Sequence, residues 1–168
     1  MAAKITVLGT GRMGSALARR LTVADFKLTL WDRTTERATR LGFGRVAASP
    51  AEAVQDAEFV ISSLTGPEAL KATYLGPHGA LEGAHGQLFL EMSTAGPNFE
   101  AELTAAIAAA GSRIVDAPIV GAPPIVEQGE AVILVGAEAE DFDRRCRSSS
   151  TSGRSAMSGD SGTARASS

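Results

Sequence analysis

Cysteine is almost missing from this sequence: Cys146 is the only one in 168 residues. An intramolecular disulfide is therefore excluded, and so is a metal site built from several cysteines. Long apolar runs are missing as well. The longest are strand-sized, far short of the roughly 20 residues that a membrane-spanning helix needs. The first residues pass from Met1 straight into a strand pattern, without the charged and then apolar build of a signal peptide. Lysine is scarce, with Lys4, Lys27 and Lys71 the whole complement. The expectation from these absences is a soluble, cytoplasmic protein with no membrane partner.

What is present suits one globular domain. The chain is 44% hydrophobic and 21% charged, enough of the first to bury a core. Its net charge of −3 hides an asymmetry: residues 1–143 carry 11 Lys and Arg against 18 Asp and Glu. Residues 144–168 carry five Arg, one Asp and nine of the fifteen serines. The acidic body gives no sign of nucleic-acid binding. The tail holds too few apolar groups to offset its chain entropy and is expected to be disordered.

Strand-like and helix-like segments alternate along the body. Strands are predicted at Lys4–Leu8, Lys27–Trp31, Val46–Ala48, Glu58–Ser62, Gln87–Met92, Arg113–Asp116 and Glu130–Val135. Helices are predicted at 12–24, 34–41, 51–55 and 66–74, and from a cap at Asn98 to Gly111. Ser49-Pro50 reads as an N-cap followed by proline at the first helical position. Residues 76–86 and 117–129 read as loops. This alternation predicts an α/β fold with a doubly wound, mostly parallel Rossmann-type sheet, in one domain spanning residues 1–143.

Gly9-Thr10-Gly11-Arg12-Met13-Gly14 places G-x-G-x-x-G between the first strand and the first helix. Each glycine has its own physical role. Gly9 allows the tight turn, Gly11 the close approach of a pyrophosphate, and Gly14 the packing of helix on strand. The helix N-terminus behind them offers free N–H groups to phosphate. A dinucleotide is the expected ligand. At the end of the second strand, Asp32 can accept from a ribose 2′-hydroxyl, which favours NAD. Arg33 can pair with a 2′-phosphate, which favours NADP.

The sequence resembles the β-hydroxyacid dehydrogenases, the family of 3-hydroxyisobutyrate and 6-phosphogluconate dehydrogenases, with imine reductases as a neighbouring branch. Four segments carry the resemblance: Leu8–Gly14; Trp31-Asp32-Arg33-Thr34; Glu91-Met92-Ser93-Thr94; and Asp116-Ala117-Pro118-Ile119-Val120-Gly121. It implies cofactor contacts at the glycine loop, at Asp32, Arg33 and Thr34, at Leu64 and Thr65, and at Thr94. It tips the cofactor towards NADP, and it implies a small hydroxy acid or related carbonyl or imine as substrate, held at Val120, Gly121 and Ala122. Full-length relatives are expected to be homodimers.

Two departures weigh on catalysis. Val120 and Ala122 stand where the family carries serine and glycine, and valine cannot hydrogen-bond a carboxylate. The family's catalytic lysine has no counterpart, since all three lysines precede the substrate motif. No catalytic residue is assigned, and His78 and His85 read as exposed loop residues. The expectation is a cofactor-binding domain cut short before its helical partner domain, with little activity alone. The alternatives are a non-catalytic nucleotide-binding module and an inactive gene product. The tail itself suggests a shifted reading frame near Arg144–Arg145. Shifted by one base, TCN serine codons become apolar codons, and residues 157–168 can spell a run resembling the family's lysine motif.

Overall fold

The computed structural model describes residues 2–93 and 97–134. Thr94, Cys146, the domain boundary expected at residue 143 and the Ser/Arg tail lie outside the described residues.

Six strands and five helices set the frame. Strands β1 (Lys4–Leu8), β2 (Lys27–Trp31), β3 (Arg45–Val46) and β4 (Phe59–Ser62) are joined by helices α1 (Arg12–Val23), α2 (Thr35–Thr39) and α3 (Pro50–Val54). Helix α4 (Gly66–Leu75) leads to β5 (Leu88–Glu91), and α5 (Pro97–Ala109) to β6 (Arg113–Asp116). The six strands form one sheet in the order β3-β2-β1-β4-β5-β6, every pair parallel. This is the doubly wound order, in which the winding reverses between β1 and β4.

Both faces of the sheet are covered, so the central strands carry apolar residues on each side. Ile5 and Val7 of β1 pack with Leu28, Leu30 and Ile61 against Ala16 and Leu17 of α1 and Ala38 of α2. Leu8, Val60 and Phe89 face the other way, onto Val54 of α3, Leu70 and Tyr74 of α4, and Leu103 and Ile107 of α5. Ser49 caps α3 as its sequence suggests, its hydroxyl accepting from the Glu52 N–H at 3.1 Å, with Pro50 just inside the helix.

Several expectations need correction. Helix α5 already includes Pro97 and Asn98, so Asn98 is not its cap. A short 3-10 turn, Ala80–Gly83, interrupts the loop at 76–86. Residues 117–129 are not merely a loop: they contain β7 (Ile119–Val120) and α6 (Pro123–Gln128). Pro123 and Pro124 open that helix, where a missing N–H has no intrahelical partner to lose. The strand expected at Glu130–Val135 is the shorter β8 (Val132–Ile133), antiparallel to β7 in a separate two-stranded sheet. Val126 anchors α6 in the core on the α1 side.

Candidate functional site

The carboxyl ends of β1, β2 and β4 surround a cleft of about 740 Å³ at the point where the sheet order reverses, the place at which open α/β sheets bind ligands. Gly9 and Gly11 line its floor. Gly9 has φ +92°, and its N–H donates to the Trp31 carbonyl at 2.8 Å, so the chain turns tightly out of β1. A Cβ at Gly9 would strike the Ser63 carbonyl, and one at Gly14 would strike the Gly9 carbonyl. Gly11 differs: a Cβ there would meet nothing within 4 Å, so no protein atom needs it to be glycine. The open space beside Gly11 suits a pyrophosphate drawn close to the backbone. Helix α1 begins at Arg12 with no side-chain cap, which leaves its first N–H groups to a ligand.

Asp32 lines the cleft, but its carboxylate is already engaged. Oδ2 accepts from the Thr10 N–H at 2.8 Å and from the Thr10 hydroxyl at 3.1 Å, and Oδ1 accepts from the Thr34 N–H at 2.9 Å. Asp32 therefore braces the glycine loop against β2. Thr10 is buried and turned towards Asp32 rather than the cleft, and its carbonyl accepts from Ser15. Arg33 is exposed and lines the cleft, and the half-buried Trp31 lines it too.

Arg37 also lines the cleft, although sequence alone marks it only as a solvated position on the outer face of the second helix. It stands four residues beyond Arg33. Arg33 precedes the cap of α2 and Arg37 lies within the helix, so no helical spacing in the sequence pairs them, and only the fold brings both to the cleft. The far wall comprises Ser63, Leu64 and Thr65 after β4, then Glu68, Ala69, Ala72 and Thr73 of α4.

Other expected site residues stand apart from this cleft. Arg12, Met13, Gly14 and Thr34 flank it without lining it, and neither do Val120, Gly121 and Ala122, all three exposed. Lys4 and Lys27 sit at the amino ends of β1 and β2, and Lys71 is not among the α4 residues of the wall, so none of the three lysines lines the cleft. His78 is exposed, 3.7 Å from Glu82, and His85 is held by the Gly83 carbonyl. Among the described residues there is no cluster of three metal-ligating side chains, and no helix is long and apolar enough to cross a membrane.

Residues 4–148 match the family described as the NAD-binding domain of 6-phosphogluconate dehydrogenase. The chain is 33% identical over 138 residues to the cytokine-like nuclear factor N-PAC of Xenopus tropicalis, covering 80% of this chain and 26% of that protein. It is 29% identical over 143 residues to glyoxylate/succinic semialdehyde reductase 1 of Arabidopsis thaliana, covering 83% and 50%. Among solved structures it is similar to 3-hydroxyisobutyrate dehydrogenase of Mycobacterium tuberculosis with L-serine, at TM-score 0.78 and 26% identity, covering 86% of this chain and 50% of that one. A reductive aminase of Aspergillus terreus in complex with NADPH superposes at TM-score 0.71 and 27% identity, covering 83% and 49%. The chain thus spans a quarter to a half of the length of these proteins.

Proposed function

The chain belongs to the family of the NAD-binding domain of 6-phosphogluconate dehydrogenase, and from that premise we propose that its cleft binds NADP in preference to NAD. Arg33 and Arg37, both on the cleft wall, carry this reading. Two guanidinium groups on the cleft can pair with a 2′-phosphate and offset the charge of the nearby Asp32 carboxylate. Gly11 and the uncapped start of α1 would hold the pyrophosphate. When bound, the dinucleotide would supply hydride chemistry, and this chain's residues would bind and orient it.

The substrate class is a small hydroxy acid or a related carbonyl or imine, in keeping with the reductases and dehydrogenases among the relatives. None of the three lysines lines the cleft, and Val120 offers no hydroxyl to a carboxylate. The chain by itself binds cofactor and turns over little. Calorimetric titration with NADPH and NADH tests the binding reading: tighter NADPH binding is expected, and equal affinities overturn the preference. The N-PAC relatives favour a second reading, a dinucleotide-binding module without catalysis, because their name describes a nuclear factor. Reduction of glyoxylate, succinic semialdehyde or a cyclic imine by NADPH on the chain alone would exclude that second reading.

A further inference from the structure

Beneath the cleft wall lies a carboxyl group that the binding reading leaves unused. Glu91 ends β5 and is only 3% exposed. Its Oε2 accepts from the Ser62 hydroxyl at 2.6 Å and from the Tyr74 phenol at 3.1 Å. Its Oε1 accepts from the Ser93 N–H at 2.8 Å. The Tyr74 phenol also reaches Ser62 Oγ at 2.8 Å. Three segments thus converge on one side chain: the end of β4, helix α4, and the turn after β5.

None of Glu91, Ser62 and Tyr74 lines the cleft, yet each is one step from it. The Ser93 hydroxyl accepts from the Leu64 N–H at 2.8 Å, and Leu64 and Thr65 form the wall. Tyr74 follows Thr73, and Ser62 precedes Ser63, both wall residues. A packed apolar group would span this space with a smaller desolvation cost than a carboxyl. What the carboxylate provides instead is acceptor sites in fixed directions.

We propose that Glu91 is a positioning residue for dinucleotide binding: its carboxylate holds the Ser93 turn so that the Ser93 hydroxyl fixes Leu64, and this sets the wall at Leu64–Thr65. The proposal rests on the dinucleotide reading and deepens it. The ionised form is the one that accepts from all three donors. Protonation forces the Ser62 and Tyr74 hydroxyls to reorient. Among the described residues, the ionisable groups around Glu91 are Tyr74 from α4 and the exposed Asp116, its register partner on β6. The neighbouring strand β4 contributes the Ser62 hydroxyl, and the following turn contributes Ser93. Burial pushes the Glu91 carboxyl above its ordinary value, against the pull of its hydrogen bonds, which brings its titration nearer to neutrality.

The proposal is tested by titrating the full chain with NADPH and with NADH between pH 5 and 9, for the wild type and Glu91→Gln, with amide exchange followed at Leu64 and Ser93 without ligand. In the wild type, affinity for both dinucleotides rises with pH through a common step. NADPH adds a second step from its own 2′-phosphate. Glu91→Gln keeps the volume, loses the common step, binds both about fivefold more weakly at pH 8, and exchanges Leu64 and Ser93 faster. A Gln variant with wild-type affinity and an unchanged step overturns the proposal and leaves the dinucleotide reading standing. A wild type that binds neither dinucleotide removes that reading and the proposal with it. Ser93→Ala covers the case of an unfolded Gln variant: it cuts the link to Leu64 and is expected to weaken both dinucleotides similarly. Unchanged affinity in Ser93→Ala also overturns the proposal.

Discussion

The glycine loop after β1 and the segment after β6 both carry family-like motifs, and the fold treats them in opposite ways. At the first, the residues around the open space at Gly11 are held by neighbouring backbone and side chains. The Gly9 N–H is bonded to Trp31, Thr10 is held by Asp32, and Gly14 lies against the Gly9 carbonyl. At the second, Val120, Val132, Ile133 and Leu134 are exposed, and the segment reaches the core through Ile119, Val126 of α6 and Ala131. A motif residue is thus constrained where the protein's own backbone closes round it. Where the described residues offer no second wall, the same kind of motif stands open.

That contrast predicts where substitutions matter. The largest loss is expected at Gly14→Ala, because the new methyl group meets backbone that cannot swing aside. A cost of about 3 kcal/mol in urea unfolding is expected, together with loss of NADPH binding. A stability near wild type would mean the loop is looser than its packing indicates. Arg33→Ala and Arg37→Ala come next: each should weaken NADPH by about 1.5–3 kcal/mol and leave NADH nearly unchanged in calorimetry. Equal losses for the two cofactors would remove the 2′-phosphate assignment.

Smaller effects sharpen the comparison. Ser49→Ala removes the cap of α3 and should cost about 1 kcal/mol in thermal unfolding, with cofactor affinity little changed. Glu91 adds a pH dependence whose sign follows from its burial. Its folded carboxyl titrates above the unfolded one, so the folded state holds the extra proton between the two values. Stability should therefore fall as pH rises from the ordinary carboxylate range through the raised value, and Glu91→Gln should flatten that slope. A wild-type slope unchanged by the substitution would assign the proton elsewhere. Val120→Ser should do least: it trims one exposed cross-strand pair with Val132, for about 0.5 kcal/mol, and leaves NADPH binding as it was. A large change in cofactor affinity there would mean that the open segment folds over the cleft.

Much of the cofactor half is legible in the sequence because its signals are local. A strand followed at once by G-x-G-x-x-G, and a serine followed by proline before a helix, act through neighbours in the chain. β1, β2 and β6 fall on the residues their patterns mark. One miss turns on a local proline rule and another on a non-local pairing. Helix α6 reads as a proline-stiffened loop because proline is a breaker anywhere except the first turn of a helix. The β7–β8 pairing joins Ile119 to Ile133 across a helix, and no short window of sequence contains both.

By itself, the sequence determined the class of fold, the glycine loop and the class of cofactor, because alternating apolar patterns and obligatory glycines are properties of single segments. Only the tertiary structure decided how the side chains divide their work. Asp32 points to ribose when read along the chain, and in the fold it also braces Thr10 and Thr34. Arg37 reads as a solvated charge, yet it joins Arg33 on the cleft wall. Glu91 is one acidic residue among nineteen until two segments distant in sequence bring Ser62 and Tyr74 to it, beside the local Ser93 N–H. The physical reason is that a hydrogen bond or a buried charge takes its energy from what surrounds it, and those surroundings exist only once the sheet has assembled.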